Sequence, residues 1–144
     1  MEYRKLGNSG LKVSTLCLGT MMFGDRTDEK EAGRIMGSAF DAGVNFIDTA
    51  DQYAKGESER ITGRLVAFNR DHWVVATTVG NTMGPRPNQI GLGRKSIMQA
   101  IHASLKRLGS DFVDAYYQHP DFDHSPLAET VVALGCFLPS VKAR

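Results

Sequence analysis

Residues 73–80 read WVVATTVG, a run of apolar and β-branched residues that closes on two threonines and a glycine. The run lacks the apolar–polar alternation of a strand that has one solvent-exposed face. It therefore predicts a strand buried on both faces, as in parallel sheets that helices cover. Such sheets place their chemistry at the carboxyl ends of their strands, so the side chain of Thr78 is predicted to reach a site.

Similar runs occur on both sides of this stretch, separated by helical patterns. The predicted strands are TLCLGT at 15–20, VNFIDT at 44–49, WVVATT at 73–78 and DFVDAYYQH at 111–119. Apolar residues at helical spacing predict helices over roughly 28–42, 58–68 and 94–108, and another beginning near 125. Four successive β/α units predict a parallel sheet, because each crossover must carry the chain back on the same hand.

Turn and capping residues bound these elements. Gly7-Asn8-Ser9-Gly10 separates two short alternating segments and predicts an N-terminal β-hairpin. The predicted capping residues are Asp28 and Gly43 for the first helix, Gly109 for the third, and Ser125 for the last, with Pro126 at its first helical position.

Two architectures have this alternation of strands and helices. A doubly wound sheet usually carries a G-x-G-x-x-G loop after its first strand, and LCLGTMMFG has none. The (β/α)8 barrel, of TIM-barrel type, is therefore preferred, but such a barrel typically needs about 250 residues. The chain has 144, so we expect the first four β/α units after the hairpin, over residues 1–135. Residues 136–144, CFLPSVKAR, are predicted to be a divergent tail that reflects truncation, an altered reading frame or a spliced end.

Composition excludes several classes of function. Lys and Arg number 17 and Asp and Glu 16, without long blocks of one sign, so neither nucleic acid nor a membrane is predicted as a partner. No apolar run approaches the roughly 20 residues that span a bilayer, and no leader pattern follows Met1, which predicts a cytoplasmic protein. Cys17 and Cys136 have no metal-type spacing, and we expect both to be reduced, with Cys17 a small core residue.

Candidate site residues lie at the end of each predicted strand. They are Gly19 to Met21 after the first, Asp48 and Tyr53 after the second, Thr78 and Asn81 after the third, and Gln118 and His119 after the fourth. A carboxylate, a phenol and an imidazole at the same end of the barrel are suited to general acid–base catalysis on a polar bond. Taken singly, Asp48 could cap a loop, Tyr53 could be a half-buried aromatic, and His119 could be a satisfied histidine.

One block of sequence is more specific than these patterns. GVNFIDTADQYAKGESERITG at 43–63, with YRKLGNSGLKVSTLCLGTMMFG before it and RKSIMQAIHASLKRLGSDFVDAYYQH after it, resembles the first half of the aldo-keto reductase family. The resemblance covers about residues 2–135. It implies a (β/α)8 barrel with a hairpin across its bottom and the reduction of small-molecule aldehydes or ketones with NADP(H).

The resemblance also implies roles for individual residues. Tyr53 would protonate the carbonyl oxygen, His119 would orient and polarise it, and Asp48 would be the carboxylate that pairs with a lysine beside the tyrosine. The residues implied near the nicotinamide and its ribose are Gly19, Thr20, Met21 and Asp48. Those implied around the substrate are Met22, Phe23 and the loop after Tyr53.

Thr78 departs from the family pattern, in which a lysine ends the third strand. A tyrosine with an ordinary pKa near 10 needs a nearby cation to exchange protons near neutral pH, and a threonine hydroxyl supplies none. Lys55 is a weak candidate for a replacement. The sequence therefore predicts either a reductase with severely reduced turnover or an inactive, truncated relative that acts through self-association at open barrel edges or through protein binding.

The remaining basic residues and histidines are interpreted as solvated. His72, His102 and His124 lack a second ligand at metal spacing. Arg94-Lys95 and Lys106-Arg107 flank one helix and favour a solvated face over an anion site.

Overall fold

The computed structural model describes residues 1–120 and 125–137. It begins with an antiparallel hairpin of β1 (Tyr3–Lys5) and β2 (Lys12–Ser14), whose turn falls on the predicted residues. The chain then alternates between strands and helices: β3 (Cys17–Gly19), α1 (Glu29–Asp41), β4 (Phe46–Ala50), α2 (Glu57–Val66), β5 (Val74–Val79), α3 (Arg94–Leu108), β6 (Ala115–Gln118) and α4 (Leu127–Gly135). This order confirms the predicted α/β class and the four successive β/α units.

The four later strands form one parallel sheet in the order β3-β4-β5-β6. This is the arrangement of a partial (β/α)8 fold, and the barrel is not closed. Gly19 pairs with Asp48 and Asp48 with Ala76, while Ala50 pairs with Thr78. Residues in register share a face and alternate residues share it too, so Asp48 and Thr78 lie on the same face of the sheet. We call this the inner face, and the face that α2 and α3 cover the outer face.

Local chemistry explains where most helices begin and end. The Asp28 carboxylate accepts the backbone N–H of Glu31 at 2.8 Å, which caps α1 as predicted. Gly43 (φ 82°) and Gly109 (φ 63°) adopt the left-handed conformation just beyond α1 and α3, where glycine meets no Cβ penalty. Helix α2 follows Gly56 (φ 88°), one residue earlier than predicted.

The predicted cap of α4 is wrong. Pro126 occupies the N-cap position and Leu127 is the first helical residue, with no side-chain cap. The Ser125 hydroxyl instead accepts the backbone N–H of Leu92 at 3.1 Å. Serine therefore joins α4 to the segment before α3, a long-range contact that a local capping pattern does not reveal.

The core lies between the outer face of the sheet and its helices. The most deeply buried apolar side chains include Ile47, Val75, Ile97, Ile101 and Val113. The prediction that Cys17 is a core residue is wrong, because the residue is exposed. Its position on β3, an edge strand of the described sheet, places it in register with Phe46 on the inner face, away from the helices.

Two side chains interpreted as solvated have specific partners. His72 is half-buried, with its Nε2 atom 2.9 Å from the Val44 carbonyl oxygen and its ring stacked edge-on against Trp73. Arg107 is only 13% exposed and donates from Nε to the fully buried Glu59 at 2.5 Å. Both interpretations are therefore wrong. Val44 lies 28 residues from His72, and Glu59 lies 48 residues from Arg107, so a local sequence pattern does not reveal either partner.

No helix among the described residues has the length and apolarity needed to cross a membrane. Phe137, just after α4, is 2% exposed and packs edge-on against Tyr116. The remainder of the predicted divergent tail, with Pro139, lies outside the described residues.

Candidate active site

Tyr53 stands at the start of a tight turn that follows β4. Residues Tyr53–Gly56 form a 3₁₀ turn in which Ala54 (φ 47°, ψ 38°), Lys55 (φ 56°) and Gly56 (φ 88°) are consecutively left-handed. A left-handed non-glycine residue costs about 1–2 kcal/mol, and such strain concentrates at functional sites. The turn reverses the chain within four residues, so Tyr53 lies at the carboxyl edge of the sheet and α2 begins at once.

A buried group of hydroxyls anchors this turn to the sheet. Ser58 Oγ donates to the Thr20 carbonyl oxygen at 2.8 Å and lies 2.9 Å from Thr20 Oγ1 and 3.1 Å from Thr49 Oγ1. Thr20 Oγ1 also donates to the Asp48 carbonyl oxygen at 3.0 Å. Thr20, Thr49 and Ser58 are completely buried. The Thr20 side chain therefore holds the ends of β3 and β4 together and faces the protein interior.

The three residues predicted to share one mouth are close together. The rings of Tyr53 and His119 meet edge to face with their centroids 6.4 Å apart. The backbone N–H of His119 donates to the Val79 carbonyl oxygen at 2.8 Å, which extends the β5–β6 pairing. Asp48 is half-buried on the inner face and interacts electrostatically with both rings. The carboxylate, the phenol and the imidazole thus form one cluster.

The cluster has an electrostatic character set by burial and by Asp48. Burial raises the pKa of Asp48, and His119 partly offsets this. Burial raises the pKa of Tyr53, and the Asp48 carboxylate raises it further. Burial lowers the pKa of His119 despite the opposing effect of Asp48. At neutral pH this favours a neutral imidazole and makes the Tyr53 phenol a weaker acid than a free tyrosine.

Thr78 lies beside this cluster on the inner face. It is 7% exposed and pairs in register with Ala50 and Tyr117. Within the described part of the chain, no lysine or arginine contributes to the pKa shifts of Asp48 or Tyr53. Lys55 is exposed and supplies no such effect. The cluster therefore contains a carboxylate without the lysine that the resemblance implies at position 78.

His119 presents one atom without a protein partner. Its Nε2 atom is buried and has no hydrogen-bond partner among residues 1–120 and 125–137. A buried polar ring nitrogen left unpaired is unfavourable. The atom is therefore suited to a hydrogen bond with a bound molecule.

A shallow cavity of about 420 Å³ adjoins Tyr53. It is lined by Met21, Met22, Gly24, Asp25, Gln52, Tyr53, Ala54 and Lys55. Met22, which the resemblance implies around the substrate, lies beside the tyrosine, and Met21, which it implies near the nicotinamide, lines the same cavity. Phe23 does not line this cavity, because it is 3% exposed and belongs to the hydrophobic core.

Sequence reasoning missed a second polar cluster, on the outer face. Asp51, Glu59 and Arg107 lie between the sheet and α3, and Asp51 is 1% exposed. A usable signal was the position of Glu59 on α2, two residues before the buried Ile61 and three before the buried Thr62. A charged residue on the buried side of an amphipathic helix requires a partner.

Comparison with known proteins agrees with the fold. The model of the aldo/keto reductase family matches residues 15–137. A probable voltage-gated potassium channel subunit beta of Arabidopsis thaliana is 44% identical over 138 residues, which is 93% of this chain and 42% of that protein. Its counterpart from Oryza sativa subsp. japonica is 43% identical, with the same coverage. Aldo-keto reductase AMT2 of Alternaria alternata is 35% identical over 99% of this chain and 47% of its own length.

The chain spans less than half the length of each of these relatives. The family match nevertheless covers most of the 144 residues and includes every strand of the parallel sheet. The chain belongs to the aldo/keto reductase family.

Proposed function

We propose that the chain carries the catalytic cluster of an oxidoreductase that reduces a small aldehyde or ketone with NADP(H), or oxidises the alcohol in reverse. One observation carries the proposal: Asp48, Tyr53 and His119 lie together at the carboxyl edge of the parallel sheet. One relative is named an aldo-keto reductase. Because the chain spans less than half of that relative, the complete activity is part of the proposal.

Tyr53 and His119 have different roles at the carbonyl oxygen of the substrate. Bound NADP(H) supplies the hydride. The Tyr53 hydroxyl donates a proton to the oxygen as charge develops there. A neutral His119 protonated at Nε2 donates a hydrogen bond to the same oxygen and satisfies its buried, unpaired nitrogen. The cavity beside Met21 and Met22 accommodates the rest of a small substrate.

Three features of the inner face and its end support a nicotinamide site there. A side chain added at Gly19 would meet no heavy atom within 4 Å, so the strand end is open. Met21 is 54% exposed, and Asp48 supplies a half-buried carboxylate for a ribose hydroxyl or an amide. Thr20 is not available for a cofactor contact, because its hydroxyl, its backbone N–H and its carbonyl oxygen are all hydrogen-bonded within the protein. We therefore assign the cofactor contacts to Gly19, Met21 and Asp48.

Thr78 limits the rate of this chemistry. A general acid works best when its pKa is near the working pH, and Asp48 moves the pKa of Tyr53 in the wrong direction. A cation at position 78 would reverse this effect, and threonine carries no charge. We therefore propose slow turnover for the chain.

Calorimetric titration with NADPH, with NADH in parallel, tests the cofactor site. We expect saturable binding of NADPH to the chain, and unchanged binding to Tyr53→Phe, since the phenol acts on the substrate. An absence of heat up to about 1 mM cofactor, where binding is worth only about 4 kcal/mol, would refute the cofactor site.

A rate measurement tests the reduction itself. Oxidation of NADPH in the presence of an aromatic aldehyde should be detectable for the chain and absent for Tyr53→Phe.

A second candidate function is association by a catalytically inactive member. Strands β3 and β6 are the edges of the sheet in the described residues, and Tyr117 on β6 is 37% exposed. An edge strand presents unpaired N–H and C=O groups that another chain can pair with. Two relatives are named potassium channel subunits, and a subunit acts through protein contacts.

Sedimentation velocity over a hundredfold range of protein concentration tests this candidate. We expect a dimer or larger species that Tyr117→Lys shifts towards monomer, because charge on an edge strand opposes pairing. Glu2→Lys, a change on an exposed residue outside the parallel sheet, is the matched control. A monomer at all concentrations would contradict association between copies.

A further inference from the structure

The outer face of the sheet carries a buried ion pair with all its carboxylate oxygens engaged. Glu59 is completely buried; its Oε1 accepts the Thr77 hydroxyl at 2.6 Å and its Oε2 accepts Arg107 Nε at 2.5 Å. Arg107 also donates to Ser104 Oγ at 3.0 Å. The negative charge of Glu59 is therefore matched by the positive charge of Arg107, one to one.

Asp51 adds a second carboxylate beside this ion pair. When Asp51 is ionised, the three side chains carry one excess negative charge. Its backbone N–H donates to the Thr78 carbonyl oxygen at 3.1 Å, which fixes the residue at the end of β4. The side chain is buried, and neither carboxylate oxygen has a hydrogen-bond partner in residues 1–120 and 125–137. An ionised carboxylate in this state is strongly unfavourable unless a donor reaches it.

A cavity of about 230 Å³ opens beside Asp51, between the segment after β5 and α3. The charged residues that line it are Asp51 and Arg107. The uncharged polar ones include Asn81, Asn88, Gln89, Ser96 and Gln99, and the apolar ones include Val79, Met83, Ile90, Ala100 and Ala103. None of the residues around it belongs to the cavity beside Tyr53. The two cavities are therefore distinct.

We propose that this cavity binds a small organic ammonium ion, with the ammonium group on the Asp51 carboxylate and the hydrocarbon part against Met83, Ile90 and Ala100. A cation balances the one excess negative charge of Asp51, Glu59 and Arg107. An anion would lie against the Asp51 carboxylate, and Arg107 is already paired with Glu59. A divalent metal would need about six oxygen ligands, and no metal-type cluster of His, Cys, Asp and Glu occurs in the described residues.

The size of the cavity limits the ligand. A water molecule in the liquid occupies about 30 Å³, so 230 Å³ corresponds to a ligand of roughly eight heavy atoms. Benzylammonium has this size and carries one primary ammonium group on an apolar ring. It is the probe for the experiment, with benzyl alcohol as its neutral analogue.

The charge state of Asp51 makes the binding depend on pH. Burial and the Glu59 carboxylate raise the pKa of Asp51 to about 7, while Arg107 acts in the opposite direction. Tyr116 of β6 faces the same cluster, and its pKa is raised by burial, by Asp51 and by Glu59. Because the ammonium group needs an ionised carboxylate, affinity should be higher at pH 8 than at pH 5.5.

Calorimetry with the full chain at pH 8 tests the site. We expect saturable binding of benzylammonium, at least tenfold weaker binding of benzyl alcohol, and a loss of at least tenfold in affinity for Asp51→Asn, about 1.4 kcal/mol. Asp41→Asn, which neutralises an exposed carboxylate at the end of α1, should bind as the unmodified chain does. Tyr53→Phe should also leave binding unchanged, which separates this site from the reductase cluster.

A second variant keeps the test valid if Asp51→Asn does not fold. Ala100→Leu fills the cavity from α3 without changing any charge and keeps a strong helix former. It should abolish the binding of benzylammonium. Equal affinity in both variants and the unmodified chain, or no saturable binding up to about 10 mM, would overturn the proposal.

Discussion

At the residue scale, Asp48 and Asp51 lie three residues apart but have carboxylates in different environments. Asp48 ends on the half-buried inner face beside Tyr53 and His119. Asp51 ends on the outer face beside Glu59, where burial raises its pKa to about 7. The pleat sends the two side chains to opposite sides of the sheet, so their surroundings differ although their chemistry is the same.

The missing cation beside Asp48 gives a prediction for Thr78→Lys. An ammonium group on the inner face should lower the pKa of Tyr53, because an opposite charge favours the phenolate. Carbonyl reduction should rise by about 10²-fold or more, the usual contribution of a well-matched general acid. Ultraviolet difference titration of tyrosine and the rate of NADPH oxidation measure the two effects.

The matched control for this change is Thr78→Met, which adds a side chain of similar length without a charge. It should leave both the pKa of Tyr53 and the rate close to those of the unmodified chain. A similar gain with methionine would show that side-chain packing, and not charge, limits the reaction.

At the element scale, the carboxyl edge of the sheet is built by contacts between α2 and its neighbours. Ser58, at the second position of α2, binds the ends of β3 and β4 through Thr20 and Thr49. Glu59 then joins α2 to β5 and α3. Gly63 lets α2 approach the carboxyl end of α3, since a Cβ there would overlap the backbone of Leu108. Tyr53 is thus positioned by the helix that follows it.

This close approach predicts different outcomes for two helical glycines. Gly63→Ala should reduce the free energy of unfolding by about 1–3 kcal/mol, because the new methyl group meets backbone that cannot rotate away. Gly37→Ala in α1 meets nothing within 4 Å and should raise it by about 0.5–1 kcal/mol through helix propensity. Urea denaturation measures both, and equal effects of the two changes would contradict the proposed packing.

At the scale of the whole molecule, the stability of the chain should depend on pH through Asp51. The pKa of this residue is about 7 in the folded chain and about 3.9 when unfolded, so the folded state binds more protons between these values. The free energy of unfolding should therefore fall as the pH rises from about 4 to about 7, by up to about 4 kcal/mol at 1.36 kcal/mol per pH unit.

Asp51→Asn should remove this dependence, because an amide does not titrate. At pH 8 the variant should have a larger free energy of unfolding than the unmodified chain. At pH 5 this difference should disappear. Thermal unfolding at several pH values measures the difference, with Asp41→Asn as the exposed control. An identical pH profile for the unmodified chain and Asp51→Asn would show that Asp51 does not titrate in this range.

Local patterns were enough for much of the architecture. Continuous apolar strands, helical spacing, the Asp28 cap and Gly109 depend on neighbours a few residues away, so the parallel sheet and most helix ends could be predicted. That Asp48, Tyr53 and His119 come together near the carboxyl edge could be predicted for the same reason, because parallel strands deliver their ends to one edge.

The sequence by itself therefore determined the β/α order, the edge of the sheet that carries the candidate site, and the absence of a cation at position 78. Only the tertiary structure decided that Cys17 is exposed, that the Thr20 hydroxyl faces inward, and that Asp51 joins Glu59 and Arg107. Burial and charge pairing depend on elements that are distant in sequence, such as Glu59 and Arg107, 48 residues apart. Sequence patterns describe neighbours along the chain, and the free energy of a buried charge depends on neighbours in space.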